Sequence, residues 1–347
     1  MKAFRRLARK KRAARLVDLP VPIPRNNEVL LKVSFCGICG SDLHAWLNHK
    51  GYESVLPEVT FGHELSGLVV EVGSEVKNWK AGERAVMIAI QTKHLENDRF
   101  CSSGLPQLSP RRRVQGFHLD GGMAEYVCVE EEFLLPIPDE LSLAEAALVE
   151  PLSVAEHCIA TRTNVRPGSS VVISGPGMIG MMCAIVARSR GAEVLVVGTE
   201  RDFTTRLKSA RHIGFETFVT NDSDASLDSM VKNCFEDGVD VFIEASGSSQ
   251  ALANSWKSVR PNGMITAVAL YSKFIQVDIT QFVRKQIDLR TSYGSSTPDY
   301  LRAFELLRSG AVDFSVLVET YPLLQADKGF IDSENLEAMK VLLDCSR

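Results

Sequence analysis

The 347-residue chain has no apolar run long enough to span a bilayer, and its first residues lack the apolar core of a secretory leader. The expectation is a cytoplasmic protein with no membrane partner. It also lacks an excess of one sign of charge. Thirty-nine Lys and Arg face 43 Asp and Glu, for a net charge of −4, so neither nucleic acid nor an anionic surface is implied as a partner. The eight cysteines, at 36, 39, 101, 128, 158, 183, 234 and 345, form no CxxC pair beyond Cys36 and Cys39, which argues against a disulfide framework. Internal repeats and low-complexity tracts are absent too. With 45% hydrophobic and 24% charged residues, what remains is an ordinary globular chain long enough for two domains.

What is present is concentrated first in GICGSDLH (37–44), which sets a thiol, a hydroxyl, a carboxylate and an imidazole within eight residues. Two later segments complete it: His63 and Glu64 in TFGHELSG (60–67), and Glu150 in LVEPLSVAEH (148–157). Cys39, His63, Glu64 and Glu150 together offer a soft sulfur, an imidazole and carboxylates. Zinc accepts that mixture, and three protein ligands with an open position make a catalytic rather than a structural site. EVLLKVSFCGIC (28–39) alternates as a half-buried strand should and delivers Cys39 at its end. Cys36 is read as a packed thiol, since no second Cys pair follows. Ser41 and His44 are placed to begin and end a proton path, the hydroxyl near the metal and the imidazole nearer solvent. SDLH is equally a helix opening, with Ser41 or Asp42 as its cap.

Residues 5–15 crowd Arg5, Arg6, Arg9, Lys10, Lys11, Arg12 and Arg15 with no acid before Asp18. They are read as a solvated hairpin edge, where cations discourage edge pairing, in preference to an anion-binding arm. LSGLVVEVGSEVKNWKAGERAVM (65–87) reads as paired strands with Gly turns, part of a small irregular β-barrel, and DGGMAEYVCV (120–129) returns to it. SLAEAALVEPLSVAEHCIATRT (142–163) reads as a helix interrupted at Pro151.

Residues 169–198 give a strand, a tight turn, a helix and a second strand. The turn GPGMIG satisfies GxGxxG through Gly175, Gly177 and Gly180, with Met178 and Ile179 opening the helix. Gly175 permits the turn, Gly177 lets the backbone approach a pyrophosphate, and Gly180 allows helix and strand to pack closely. The second strand ends without the acid that would hold a ribose diol: Gly198, Thr199, Glu200 and Arg201 stand there. Loss of that carboxylate with an Arg nearby favours the 2′-phosphate of NADP, and Glu200 argues for NAD. The cofactor is therefore NAD or NADP, with a lean to NADP. Strand-like runs at 215–220, 239–247, 263–270 and 287–295 alternate with helical stretches, as a doubly wound parallel sheet requires.

These motifs, in this order over nearly the whole chain, resemble the zinc-containing medium-chain dehydrogenase/reductase superfamily and within it the sorbitol, xylitol and related polyol dehydrogenases. The carrying residues are GICGSDLH, GHE (62–64), DGGMAEY (120–126), VEPLSV (149–154) and the loop at 175–180. The resemblance implies an α/β chain: a GroES-like irregular β-barrel catalytic domain over 1–150, completed by 294–347, and a Rossmann NAD(P)-binding domain over 151–293. It implies that Glu150 contacts zinc directly or through water. It implies too that a proton relay starts at Ser41, with Glu64 beside it, and runs through the cofactor ribose to His44. It places Ser246 and Gly247 beside the cofactor.

Many relatives hold a second, structural zinc with four cysteines in the lobe corresponding to 91–117. Here the lobe offers only Cys101, with His94 nearby, so one catalytic zinc is expected, the structural zinc absent and the lobe a long loop. Arg111, Arg112 and Arg113 are read as a solvated face. The implied reaction interconverts a secondary alcohol of a polyol or sugar derivative and its ketone, in a homodimer or homotetramer. A threonine 3-dehydrogenase-like amino-alcohol dehydrogenase is the alternative. A metal-free reductase or non-catalytic cofactor-binding protein is the alternative of another class.

Overall fold

The computed structural model describes residues 1–93, 98–220 and 225–346, and the chain divides into two compact units. One comprises Met1–Glu150, Ser296–Arg308 and Leu317–Arg347, the other Pro151–Ser295 and Ser309–Val316. Among the described residues no helix is long and apolar enough to cross a membrane.

The first unit is built on the strand Glu28–Gly37, whose Val29, Leu31, Val33 and Cys36 are wholly buried while Lys32 between them is exposed. Each such apolar side chain contributes roughly 1.5–3 kcal/mol of burial. Along one side the strand pairs antiparallel with Glu64–Val72. Its other side is shared: Tyr126–Glu130 lies against Glu28–Lys32, and Lys340–Asp344 against Phe35–Gly37. Arg84–Met87 and Leu134–Pro136 extend the sheet beyond Glu64–Val72, and Val318–Pro322 extends it beyond Lys340–Asp344. The register sets Gly37 opposite Glu64 on one side and Leu342 on the other.

The basic N-terminal stretch is a hairpin, but not the wholly solvated edge expected, since Lys2–Arg6 is paired on both sides, with Ala14–Asp18 and with Val59–Thr60, antiparallel to each. Arg6 is buried and its guanidinium donates to Val55 O at 2.9 Å and Asn48 Oδ1 at 3.0 Å. Arg12 covers the Trp46 ring and pairs with Glu334 at 2.6 Å.

Two expectations need correction. The lobe after residue 91 is not a bare loop: Ile90–Gln91 pairs with Arg113–Val114, and Arg99–Ser102 and Pro106–Leu108 are helical. The buried Asp98 organises it. One of its oxygens caps the helix through Phe100 N and Cys101 N, and the other takes the Ser109 hydroxyl at 2.6 Å and the Arg111 guanidinium at 3.4 Å. Arg112 and Arg113 donate to the carbonyls of Ser109 and His118. His94 lies outside the described residues. The helical break expected at Pro151 falls earlier, because Pro151 is the third residue of the helix Val149–Glu156. There its missing N–H costs nothing, the first-turn donors having no intrahelical acceptor anyway. The helix then continues through His157–Thr163 in π-helical geometry.

The second unit is a six-stranded parallel sheet in the order Glu216–Val219, Glu193–Gly198, Ser170–Ser174, Val239–Glu244, Val259–Ala267, Asp288–Thr291. The chain runs outward from Ser170–Ser174 in one direction, then returns to its other side. That reversal is the topological switch point of a doubly wound sheet, and ligands bind outside the carboxyl ends of the strands there. Gly175–Gly177 and Ala245–Ser248 follow the two strands that flank it. The α/β class read from the sequence is the class observed.

Candidate metal centre and nucleotide loop

In the first unit, Cys39 leaves the end of the central strand and precedes the short helix Gly40–Trp46. His63 and Glu64 stand where the neighbouring strand begins. Gly62 before them has φ +99°, and a Cβ there would press on Cys36 Sγ at 2.5 Å and Met123 N at 2.9 Å. Only glycine allows the turn that presents His63. One donor atom from each of Cys39, His63 and Glu64 lies within 4.8 Å of the others. A sulfur, an imidazole and a carboxylate so gathered fit zinc in ligand type.

The orientation of the His63 ring is set from behind. Nε2 faces Ser41 Oγ at 3.4 Å, and Nδ1 faces Asp42 Oδ1 at 3.7 Å. Both Nδ1 and Asp42 Oδ1 are buried without a hydrogen-bond partner among the described residues, so each depends on the other's charge. Asp42 is 0% exposed, and its Oδ2 accepts from Cys39 N at 3.0 Å. One carboxylate thus fixes the backbone of one candidate ligand and the ring of another, the arrangement by which outer residues orient metal ligands. Burial opposes charge on His63, but Asp42 and Cys39 outweigh it and hold the imidazole well above its ordinary pKa. Burial pushes Asp42 up. The edge of Phe117 closes over His63 at 5.4 Å.

Glu64 has a partner that no local motif announced. Its Oε2 accepts from the Lys340 ammonium, which also donates to Ile38 O at 2.9 Å, and both side chains are buried. The absence of a side chain at Gly37 makes room for this pair: a Cβ there would overlap Glu64 Oε2 and lie 2.9 Å from Lys340 Cε. Burial works to discharge Lys340, but Glu64 and Cys39 keep its pKa raised.

Glu150, the second residue of its helix, is not among the three clustered donors. It is partly buried, and desolvation pushes its carboxyl up to about 7, with His63 and Lys340 drawing it down and Glu64 and Asp42 opposing them. His44 is exposed, with Nδ1 2.8 Å from His49 Nδ1 and its ring stacked on Tyr52.

In the second unit the glycine turn has the geometry a pyrophosphate needs. Gly175 has φ +101°, and a Cβ there would meet the Ser246 backbone at 2.6 Å. A Cβ on Gly180 would overlap Gly175 O, so helix Met178–Ser189 packs as closely as a missing side chain permits. Apart from its own chain neighbours, the one atom of the described residues that such a Cβ on Gly177 would meet within 4 Å is Arg206 Nη1, at 3.9 Å. Met178 and Ile179 open the helix there, half-buried, with first-turn N–H groups free of intrahelical acceptors. This open, donor-rich cradle fits a dinucleotide phosphate.

Gly198 ends the second strand buried against Pro176 Cγ, and Thr199, Glu200 and Arg201 follow exposed. The EASG loop is held by Glu244, whose Oε1 accepts from Ser246 N at 2.9 Å and from the Ser246 hydroxyl. Its Oε2 accepts from Gly247 N at 3.2 Å and from the Tyr271 hydroxyl. Asp42, Lys340, Glu244 and Arg206 were not singled out for these places in the sequence. Asp42 carried a signal, three residues after Cys39 at a helix start; Lys340, in an apolar strand, gave no hint of its partner.

A thiol–imidazole–carboxylate cluster on one unit and a glycine turn at the switch point of a parallel sheet on the other define a class: zinc-binding dehydrogenases that work with a nicotinamide dinucleotide. Residues 25–139 match the alcohol dehydrogenase GroES-like domain and residues 179–309 the zinc-binding dehydrogenase family. The chain belongs to this zinc-binding alcohol dehydrogenase family, oxidoreductases acting on CH–OH donors. It is 32% identical over 331 residues to a sorbitol dehydrogenase of Halalkalibacterium halodurans, covering 94% of each chain. It is 33% identical over 331 residues to an L-threonine 3-dehydrogenase of Xanthomonas axonopodis pv. citri, covering 94% of this chain and 95% of that one. Among solved structures, a protein described as a zinc-binding dehydrogenase from Sinorhizobium meliloti, bound to NADP, superposes with a TM-score of 0.88 at 26% identity, covering 99% and 98% of the two chains.

Proposed function

We propose that the protein interconverts a secondary alcohol of a polyol or sugar derivative and the corresponding ketone, using one zinc and NADP in preference to NAD. The observation that carries the reading is the convergence of Cys39, His63 and Glu64 within 4.8 Å. Likeness to a sorbitol dehydrogenase over nearly the full length of both chains supports the polyol class. In this reading the unit of Met1–Glu150, Ser296–Arg308 and Leu317–Arg347 is the catalytic zinc domain, and the unit of Pro151–Ser295 and Ser309–Val316, rather than a continuous 151–293, is the NAD(P) domain.

Cys39, His63 and Glu64 hold the metal, with Glu150 entering directly or through water. A zinc ion held there would supply a Lewis acid that acidifies a substrate hydroxyl, and a nicotinamide dinucleotide would supply the hydride acceptor. Asp42 keeps the His63 ring aimed through the charge it sets 3.7 Å from Nδ1. Lys340 pins one Glu64 oxygen and so fixes the carboxylate beside Cys39 and His63. Ser41, whose hydroxyl lies beside His63 Nε2, takes the substrate proton, and exposed His44 passes it to water. Gly175–Gly180 bind the pyrophosphate, with Ser246 and Gly247 beside the cofactor and Gly198–Arg201 at its adenosine end.

The experiment that tests this is reduced-nicotinamide absorbance with sugar alcohols, sugar phosphates, threonine and simple alcohols, each with NAD and NADP. Turnover of a polyol with NADP is the expected result. Turnover of threonine alone would replace the polyol reading with the amino-alcohol one, which the threonine dehydrogenase likeness supports. The absence of any turnover by zinc-loaded protein would count against both.

Homo-oligomerisation is part of the proposal. Asp288–Thr291 is the edge strand of its sheet, and Leu289, Ile279 and Val283 on it and on the preceding helix are 46%, 58% and 73% exposed. An unpaired edge beside apolar side chains invites a second copy. Light scattering should return the mass of two or four chains, and that of one chain would end the idea.

A further inference from the structure

The short helix Gly40–Trp46 ends in a way that sets two imidazoles against each other. Leu47 keeps helical angles, but Asn48 takes the left-handed conformation at φ +57°. Asn48 N then donates to Ala45 O at 3.1 Å and His49 N to His44 O at 3.0 Å. These are the paired bonds of a Schellman motif, which folds the residue after the reversal back over the last turn, beside the residue whose carbonyl it caps. Apolar side chains often fill those two places; here both are histidines. The reversal is clamped from the N-terminal hairpin, since the Arg6 guanidinium holds Asn48 Oδ1 and Val55 O. Tyr52, whose N donates to His49 O at 3.4 Å, stacks on His44 with ring centroids 5.2 Å apart.

The two rings meet nitrogen to nitrogen. Their Nδ1 atoms are 2.8 Å apart and their centroids 5.1 Å, an excess that matches the two ring radii and puts both nitrogens on the line between the rings. Two facing ring nitrogens at that distance need one proton between them, one imidazole donating and the other accepting. His44 thus has Nδ1 committed to His49, and Nε2 is the nitrogen left to receive a proton from the site. Both residues are exposed at the surface. The charged groups around them are Lys50 and Glu53 on the same loop, with Glu53 engaged by Gly51 N, and Arg6 and Arg12 of the hairpin, engaged by Asn48 and Glu334. Desolvation, and then the charge that His49 can carry, lower the His44 pKa, so a proton that arrives there is readily given up.

We propose that His49 is a positioning residue of the proton path: its Nδ1 fixes which nitrogen of His44 carries the proton, then takes that proton over on its way to water. This rests on the reading of His44 as the exit for the substrate proton. At the outset His44 carries its proton on Nδ1 and His49 carries its own on Nε2. A proton reaching His44 Nε2 makes an imidazolium, the His44 Nδ1–H bond breaks as a bond to His49 Nδ1 forms, and His49 releases its Nε2 proton to water. One proton enters and one leaves, and both rings end neutral with the shared hydrogen bond reversed. From that end state the path runs inward when a ketone is reduced, and exchange of the exposed residues with water converts one state to the other.

The test compares the zinc-loaded full chain with His49→Phe, His49→Gln and His44→Phe, using sorbitol as the probe substrate with NADP and with NAD. Nitrogen NMR of histidine-labelled protein reads the tautomers, and reduced-nicotinamide absorbance reads the rate of the first turnover against pH. His44 in the wild type should carry its proton on Nδ1, and His49→Phe should move it to Nε2. Glutamine can accept the His44 hydrogen bond without passing a proton on, so His49→Gln should keep the tautomer and still lose the rate. Both variants should slow the first turnover about tenfold below about pH 7 with KM within about twofold, and rising concentrations of MOPS, a buffer base that does not coordinate zinc, should restore it. A wild-type rate in His49→Phe, or a loss that the buffer does not restore, overturns the proposal, the latter assigning His49 to the fold. His44→Phe at the wild-type rate would instead remove the relay reading on which it stands. If the wild type does not oxidise sorbitol, that counts against the polyol reading, and an unchanged His44 tautomer in His49→Phe then overturns the proposal by itself.

Discussion

Replacing Cys39 with serine should abolish turnover and zinc retention together and leave nucleotide binding intact. Serine preserves the backbone that joins the central strand to the helix Gly40–Trp46, so the change falls on the donor atom. A hydroxyl is not ionised at neutral pH, whereas a thiolate is the form that binds a soft-leaning metal. With the thiolate gone, His63 and Glu64 are left to hold the ion. Losing a Lewis acid worth several kcal/mol lowers kcat by about a thousandfold or more, at about 1.4 kcal/mol per tenfold. The glycine turn belongs to the other compact unit and should be unaffected. Zinc per chain measured after dialysis, beside NADPH titration, reads both halves: one zinc in the wild type and little or none in the variant. Full zinc with full turnover in Cys39→Ser would remove Cys39 from the ligand set.

The second large effect is on stability. Lys340→Met leaves Glu64 buried with no counter-charge, and breaking one side of such a pair costs about 3–5 kcal/mol. Because the penalty is for the orphaned charge, Lys340→Met combined with Glu64→Gln should recover most of it. The cycle is measured by denaturant unfolding of zinc-stripped protein, so that no metal holds Glu64. Additive losses in the double variant would mean that the two side chains do not act as a pair.

The two cases also show what a linear chain makes legible. Cys39, His63 and Glu64 sit in short motifs whose residue types state their chemistry, and the turn at Gly175–Gly180 is written in glycines that the fold needs for stated steric reasons. Strand Ser170–Ser174 and helix Met178–Ser189 follow from local pattern, as do the hairpin of Lys2–Arg6 and Ala14–Asp18. What could not be read were pairings set by tertiary register. Lys340 meets Glu64 from 276 positions away because Lys340–Asp344 docks beside Glu28–Gly37. Asp42 was legible as a cap, but its second oxygen acquires a role only when His63 arrives from another strand. The order of residues 98–114 hangs on one carboxylate, Asp98, whose partners at Ser109 and Arg111 lie across a stretch that local propensity leaves as loop.

The docking of Lys340–Asp344 against the central strand has a consequence for how the protein is made. Glu64 leaves the ribosome 276 residues ahead of the ammonium that compensates it. At about 5–20 residues per second, that interval is on the order of 15–55 s. Throughout it the nascent chain can form the hairpins around Glu28–Gly37, but the strand's edge along Phe35–Gly37 waits unfilled, and a carboxylate destined for the interior stays hydrated. Burial of the Glu64 region is thus deferred until Lys340–Asp344 has emerged, and the long-range closure that ends it is a step whose rate local sequence does little to hasten.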